Sequence, residues 1–471
     1  MKPVFLTTDI LFLGLIAMGL LYGWYAHRHE HLSAPWREVR RNKMGMAAAV
    51  VLAAFLTAGV LDSLHFNPRL ATDSAATGSA EYSNEVISVL DLLLTPMRTQ
   101  VEKTYSAPFA IFAFAKETIE LDNGKTTRDF PRLAYGGAHL ASIADRSADI
   151  GVKLMQGVAV GIGLWFTIAC VLALLIGSAS GRGVGHTATT MFKNTSDTPW
   201  HVILVVLLFV TLVVGVIAMV SPHYHMLGTD KVGIDVLYQT LKSIRTGLII
   251  GTLTTLVMLP FAMILGIAAG YFKGWVDDVI QYLYTTLSSI PGVLLIAASA
   301  LILDAYMTRN AESFSSLVAR ADLRLLLLCV ILGITSWTGL CRLLRGETLK
   351  LREITFVESA RAFGVGHGTI IARHMVPNVM HIVMISIVLD FSGLVLAEAA
   401  LAYINIGVDP TMESWGNMIN SARLELAREP LVWWSLCAAF VFMFVLVLAA
   451  NIFADAVRDA FDPRLRVVHS H

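Results

Sequence analysis

Nine apolar runs of about 18 residues or more recur along this chain, at 4–26, 44–62, 154–178, 201–221, 246–270, 279–303, 322–342, 379–403 and 431–454. A run of that length crosses the hydrocarbon core of a bilayer as a helix, which pairs its backbone N–H and C=O groups internally where no water can reach them. With 56% hydrophobic and 15% charged residues among 471, the chain is unlike a soluble protein. The expected fold is an all-α polytopic membrane protein of about nine transmembrane helices. A formal net charge of zero gives no reason to expect a nucleic-acid partner. Cys170, Cys329, Cys341 and Cys437 all fall inside the apolar runs, so they read as small core residues and not as a disulfide or metal framework.

Basic residues set an orientation. Arg28, Arg37, Arg40, Arg41 and Lys43 crowd the first loop, Arg345, Lys350, Arg352, Arg361 and Arg373 a later one, and Arg458, Arg464 and Arg466 the tail. Short positive loops stay in the cytoplasm. Nine crossings then put the N-terminus in the periplasm and the C-terminus in the cytoplasm, in agreement with the charges. A cleavable signal peptide is the rival reading of 4–26, since Lys2 precedes it, but no small-x-small site follows Tyr25 and the run is long for such a segment.

The runs divide the chain into two N-terminal transmembrane helices in 1–62, an outer excursion at 63–153, an additional helix pair in 154–221 and a C-terminal transmembrane region at 222–471. The excursion holds Asn67-Pro68, a Ser/Ala/Gly-rich piece at 74–80, a helix-like stretch from Ser83 to Leu94 and a turn at Asn123-Gly124. It is long enough for a small periplasmic α+β insertion with its own core, and equally fits a decorated loop packed on the membrane part.

The loop at 343–377 is polar and basic. Val357, Ala360, Arg361 and Gly364 follow helical spacing in the stretch after Leu349, Gly364, Gly366 and Gly368 are expected to break the helix, and Pro377 to start the next span. The product is a short helix lying across a cytoplasmic loop. Glycines alternating at 364, 366 and 368 follow no strand, so a phosphate loop is not indicated, and no Gly-x-x-x-x-Gly-Lys-Ser/Thr occurs to bind ATP.

Glu358-Ser359-Ala360, three further residues, Gly364, nine residues and then His374-Met-Val-Pro377 resembles the signature loop of permease subunits of ABC importers. Its pattern is Glu-Ala-Ala, three residues, Gly, nine residues and hydrophobic-x-Leu-Pro, from which Ser359, His374 and Val376 depart. More of the chain is similar to the C-type permeases of the dipeptide and oligopeptide (peptide/nickel) importers. His225-Met-Leu-Gly-Thr-Asp230, Gly233-x-Asp235-Val, Ser243-x-Arg245-x-Gly247 and Gly270-Tyr-Phe-x-Gly-Trp-Val-Asp277 come first. Pro291, Ala397-Glu-Ala-Ala-Leu401, Gly407-Val-x-Pro410, Ser414-Trp-Gly-Asn-Met418 and Val457-Arg-Asp-Ala-x-Asp462-Pro-Arg464 follow in order. The Trp36-Arg-x-x-Arg-Arg-Asn42 segment is similar too, whereas the first span, the excursion and the third and fourth spans are extra.

The resemblance implies a non-enzymatic permease subunit of an ATP-driven importer in the bacterial inner membrane, translocating short peptides delivered by a periplasmic binding protein. It implies pairing with a B-type permease and two ABC ATPase subunits, which carry ATP and Mg while this chain binds no cofactor. It assigns Glu358, Ser359, Ala360, Gly364 and Pro377 to the loop that couples to the ATPase. Nickel chelates and antimicrobial peptides are alternative cargoes of the same permease type. A membrane-anchored sensor or enzyme acting through the outer domain is the reading from another class. It has no nucleophile–base or metal constellation and leaves the inner loop unexplained.

Asp390 and Glu398 are ionisable residues inside the 379–403 run, a position that is costly unless it faces the bundle interior or an aqueous path. Asp390 is a candidate for the translocation pathway, for instance holding a peptide's amino end. Glu398 falls in the Ala-Glu-Ala-Ala element and fits pathway contact or pairing near the outer end. Asp9 is expected to snorkel at the outer end of the first span. His27-Arg-His-Glu30-His31 matches a zinc-peptidase pattern but reads better as a solvated basic flank, with no third ligand or cleft in view. The glycine pairs 157/161, 247/251 and 266/270 permit close helix contacts, and Pro260 and Pro291 are expected to bend their spans.

Overall fold

The computed structural model describes residues 2–69, 82–120, 126–180, 190–191, 197–309 and 317–461. The segments 74–80 and 123–124 and the tail with Arg464 and Arg466 lie outside the described residues. Eight helices among the described residues are long and apolar enough to cross a membrane. They are α1 (Thr7–His27), α3 (Lys43–Ser63), α6 (Arg146–Ser180), α7 (Trp200–Val220), α8 (Val236–Phe272), α10 (Gly292–Arg309), the continuous helix His367–Tyr403 that ends in α15 (Val376–Tyr403), and α17 (Trp434–Phe461). Short α2 (Glu30–Arg41) links the first two spans.

Two of the runs fold differently in detail. The run at 279–303 is interrupted: α9 (Trp275–Ser289) ends before Pro291, and α10 begins after it. Ile290, held extended at φ −86° and ψ 129°, is where a residue preceding proline is forced out of the helical region. Pro260, in contrast, is taken up inside an unbroken α8. The run at 322–342 lies on α11 (Leu317–Ser336), whose first half carries Arg320, Asp322 and Arg324, followed by α12 (Thr338–Arg352). Asp322 is buried and accepts the backbone N–H of Thr8 at 3.2 Å and its hydroxyl as well.

Contacts divide the chain into two compact units. The first comprises Met1–Phe5, Arg37–Thr246 and Glu413–Ala449; the second comprises Leu6–Trp36, Gly247–Met412 and Ala450–His471.

In the first unit, α6 and α7 pack backbone to backbone. A Cβ added at Gly157 would sit 2.6 Å from the Val216 Cα, and one at Gly161 would sit 2.7 Å from the Thr211 carbonyl oxygen, so only glycine lets the helices approach this closely. The excursion begins with β2 (His65–Asn67), paired antiparallel to β1 (Lys2–Val4) and to β3 (Ile87–Ser88). The helix-like stretch 83–94 is helical only in α4 (Val89–Leu93), started by a reciprocal Ser88–Asp91 capping box. Short α5 (Thr95–Thr99) follows, and β4 (Glu117–Glu120) pairs with β5 (Thr126–Asp129) as a hairpin.

Hydrogen bonds and buried charges tie the excursion to residues 222–246 and 413–434. Glu102 accepts the backbone N–H groups of Ala134, Tyr135 and Gly136 at 2.9, 2.8 and 3.0 Å, and lies 3.5 Å from the ring of His225. The other ring nitrogen of His225 meets Asp235 at 2.8 Å. Thr229 donates to the Thr104 carbonyl and accepts the N–H of Ser106, while Trp434 donates its indole N–H to the Thr229 carbonyl at 3.0 Å. Lys242 reaches Asp62 at 2.5 Å, Asp91 at 3.0 Å and Ser88 at 3.3 Å, and all three partners are buried. The contacts of Glu102 with His225, of Thr229 with Thr104, Ser106 and Trp434, and of Lys242 with its partners join segments more than a hundred residues apart.

In the second unit, a buried cluster runs from Met258 to Val383 through Trp337, Leu344, Val357, Ile370 and Met375. Gly266 and Gly270 lie against α12: an added Cβ would come within 2.8 Å of the Cys341 carbonyl and 2.6 Å of Thr348. Asp9 corrects the expectation of a snorkelling side chain. It is only 3% exposed and occupies the first turn of α1, where the unpaired amides and the helix dipole favour a carboxylate in place.

Candidate functional site

The loop between α12 and α15 is built as two short helices on an apolar foundation. Arg345 grips Asp277 with two parallel bonds of 2.6 and 2.7 Å, fixing α12 to α9 and holding the Asp277 carboxyl below the usual carboxylate range. Arg352 donates to the Tyr271 carbonyl at 2.9 Å, and the Tyr271 hydroxyl meets the His367 ring at 2.8 Å. From this frame the chain turns into α13 (Thr355–Ala362), then α14 (His367–Ile370).

Helix α13 is anchored by one fully buried side chain, Val357, with Ala360 packed beside it. Glu358, Ser359, Arg361 and Ala362 are exposed. The helix stops in a Schellman turn: the N–H of Val365 bonds the Ala360 carbonyl at 3.1 Å, and that of Gly364 bonds Arg361 at 3.0 Å. Gly364 sits at φ +74°, the left-handed conformation such a turn demands, and no atom lies within 4 Å of where its Cβ would be. A side chain at 364 is therefore penalised through the backbone and not through crowding.

The expected breaks at 366 and 368 are only partly realised. Gly366 precedes α14, but Gly368 lies inside it. The helix then runs on without interruption, through a π-helical turn at Ile371–Met375, into α15. Pro377 thus does not begin a separate helix. A proline ring clashes with the carbonyl four residues earlier, here Arg373, and the wide π turn lies over that carbonyl. His374, a departure from the hydrophobic pattern, is half-buried with its ring 5.6 Å from that of Phe356, and Val376 packs on the apolar cluster.

The outward side of this loop is partly apolar: Phe363 is 87% exposed, Phe356 44% and Ile354 40%. Beside them Glu358, Arg361, Ala362, Gly364, Val365, Gly366 and His367 line an open depression of about 630 Å³. Among the described residues Glu358 has no ion-pair partner. An exposed apolar rim around an unpaired carboxylate is the surface expected of a docking contact.

The other predicted residues lie away from this loop along the chain. Asp390 is half-buried in α15, and Glu398, on the same helix, is 3% exposed. His27 ends α1 and Glu30 begins α2, so a helix break at Arg28–His29 parts His27 from His31. Sequence reasoning missed Asp62, Asp91, Glu102 and Lys242, charges buried by partners far along the chain. Only the placing of Lys242 and Arg245 in the first turns of α8, just before its apolar run, hinted at buried partners.

The family model for binding-protein-dependent transport system inner membrane components matches residues 262–467. The glutathione transport system permease protein GsiD of Pectobacterium atrosepticum is 32% identical over 244 residues, covering 51% of this chain and 73% of that protein. The oligopeptide transport system permease protein OppC of Mycobacterium tuberculosis is 32% identical over 242 residues, covering 51% and 77%. The dipeptide transport system permease protein DppC of Lactococcus lactis is 30% identical over 240 residues, covering 51% and 64%.

Proposed function

We propose, for a chain that belongs to the family of binding-protein-dependent transport inner membrane components, that it is the permease subunit of an ABC importer for short peptides. Relatives named for glutathione, oligopeptide and dipeptide transport support the cargo class. The observation that carries the assignment is the exposed helix α13, set by Val357 and ended at Gly364, in the signature spacing. In this reading α13 seats in a groove of an ABC ATPase. Glu358 meets polar groups there, Ala360 holds the helix to its own core, and closure of the ATPase pair around ATP and Mg drags the loop and rocks the spans as rigid bodies. A second permease, two ATPases and a periplasmic binding protein complete the complex.

Charge supports that placement: Arg345, Lys350, Arg352, Arg361 and Arg373 crowd loop 343–377, and short basic loops stay in the cytoplasm.

Asp390 has no hydrogen-bond or ion-pair partner among the described residues, which supports a place along the translocation path. Asp390→Asn is expected to slow uptake without loss of the complex; unchanged uptake removes the assignment. The test of the whole reading is purification of the tagged chain from its host membrane, with labelled-peptide uptake measured with and without it. Co-purified ATPases and chain-dependent uptake are expected. A chain that purifies alone and does not alter uptake is not an importer subunit.

A further inference from the structure

Helix α2 bridges the end of α1 at His27 and the start of α3 at Lys43. Both neighbours are membrane-length helices, and the link is too short to cross back, so α2 lies at one membrane surface. Its twelve residues divide by face. Pro35 and Val39 are buried, and Trp36 packs its ring 5.5 Å from Phe461. Arg37, Arg40 and Arg41 are all exposed, and spacings of three and four residues place them on one side of the helix.

The charges on that side are unbalanced. Arg41 meets Asp197 at 3.1 Å and Glu38 at 3.8 Å, whereas Arg37 and Arg40 have no carboxylate partner among the described residues. Lys43 follows, and Asn42 is occupied in capping α3 through the Gly45 N–H at 3.0 Å. Two guanidinium forks are thus held at headgroup height on a helix whose opposite side is packed. A guanidinium matches phosphate oxygens in pairs and is more weakly hydrated than an ammonium, so it gives up water readily to such a ligand.

We propose that α2 binds the phosphate of an anionic phospholipid through Arg37 and Arg40, with Arg41 completing the same face. The site is a lipid headgroup site. It draws on the chain's place in a membrane and on nothing in the ATPase-coupling assignment.

The test is lipid retention by the full-length chain. It is reconstituted in nanodiscs of equimolar phosphatidylglycerol and phosphatidylcholine, extracted in mild detergent, and its bound lipid is read by native mass spectrometry. The wild-type chain is expected to retain phosphatidylglycerol over phosphatidylcholine. R37Q/R40Q is expected to lower that preference by roughly fivefold per arginine, about 25-fold for the pair, the effect of a basic residue close to an anionic surface. R37K/R40K, which keeps the charge and loses the forks, is expected to fall between the two, and Arg458→Gln on the exposed end of α17 leaves the preference unchanged. The preference of the wild-type chain falls with ionic strength, an arm that decides the matter even if R37Q/R40Q fails to fold.

Equal retention of the two lipids, or unchanged retention by R37Q/R40Q, overturns the proposal. So does displacement of the lipid by inorganic phosphate, which would make this a free-anion site. Loss of co-purified ATPase from R37Q/R40Q with lipid retention intact would put a protein on this face instead, and also overturns it.

Discussion

Lys242, near the start of membrane-length α8, and Glu358, on short α13, are both ionisable, and their surroundings are opposite. Lys242 is surrounded by Asp62, Asp91 and Ser88, and those partners are within 4% of full burial. Glu358 stands exposed on a two-turn helix held by a single buried valine. A buried charge is retained only where its partners are complete, because removing one leaves the others in low dielectric without compensation. An exposed charge contributes little to its own fold and is free to meet something else. The segments around Lys242 and His225 are therefore closed on themselves, and the loop around Glu358 leaves its carboxylate open to solvent, as the proposed ATPase contact requires.

The largest effect tests the first half of that contrast. Lys242→Met leaves Asp62 and Asp91 buried without their cation. It should destabilise the chain by about 3–5 kcal/mol, against about 0.5 kcal/mol or less for Glu358→Ala. Thermal unfolding in detergent measures both. Equal midpoints for the two variants would erase the distinction between the regions.

The second half predicts lost function with little lost stability. Gly364→Asp forces a side chain into a left-handed turn, at about 1–2 kcal/mol, and places a new carboxylate in the depression beside α13. Glu358→Lys reverses the charge without touching the backbone. Both chains should reach the membrane, and both should fail to couple ATP hydrolysis to binding-protein arrival. Gly364→Ala separates the two causes, since open space around the site leaves only the backbone penalty. Normal transport by Gly364→Asp would show that this loop is not the coupling surface.

His225 gives the comparison a pH dependence. Burial pulls its pKa down, but the hydrogen bonds and charges of Asp235 and Glu102 outweigh burial and raise it to about 9. Burial likewise raises Glu102, and the His225 bond with three backbone N–H groups outweighs this, holding it at about 2. A raised base contributes its stability fully below its unfolded value of 6.5 and loses it as pH rises through about 9. The lowered acid contributes above 4.5 and loses it as pH falls through about 2. The thermal midpoint should therefore be highest between those two unfolded values and decline from near neutral pH toward 9. Glu102→Gln should lower the midpoint and flatten the alkaline decline. An unchanged slope in that variant would mean that His225 is not held charged by this pair.

These features were unequally visible in the sequence. The apolar runs announced the spans, because desolvation of backbone in lipid leaves helices almost no alternative. The loop was visible as a spacing, Glu358 to Gly364 to Pro377, and Gly364 does end the helix. What the spacing concealed was continuity: local breaker rules stopped the chain at Gly368 and restarted it at Pro377, while a π turn carries the helix through both. The break at Pro291 and the survival of α8 through Pro260 show the same limit, since proline's local effect depends on what surrounds the freed carbonyl. Lys242 and Asp62 are 180 residues apart, many of the other bonds that tie the excursion down span more than a hundred, and no periodicity relates them. Asp9 was misread for that reason: its burial belongs to tertiary packing and not to its distance from a helix end.

The smallest effect concerns the one part of the excursion that stands apart from its buried charges. Removing all of 70–148 would take away Asp91, Glu102 and Ser106, the partners of Lys242, His225 and Thr229, so the informative cut is the β4–β5 hairpin. Among the described residues its strands pair only with each other, with Glu117 opposite Asp129 and Thr118 opposite Arg128, and its link to the rest includes an exposed Lys103–Glu117 pair at 2.6 Å. Such a pair contributes about 0–1 kcal/mol, so replacing 117–129 with a short glycine turn should leave the thermal midpoint almost unmoved. If the hairpin helps to seat the periplasmic binding protein, the concentration of that protein giving half-maximal ATPase stimulation should rise by about tenfold, the loss of one modest contact. If stimulation is unchanged at every concentration, the excursion serves to brace residues 222–246 and 413–434 and delivery does not depend on its exposed edge.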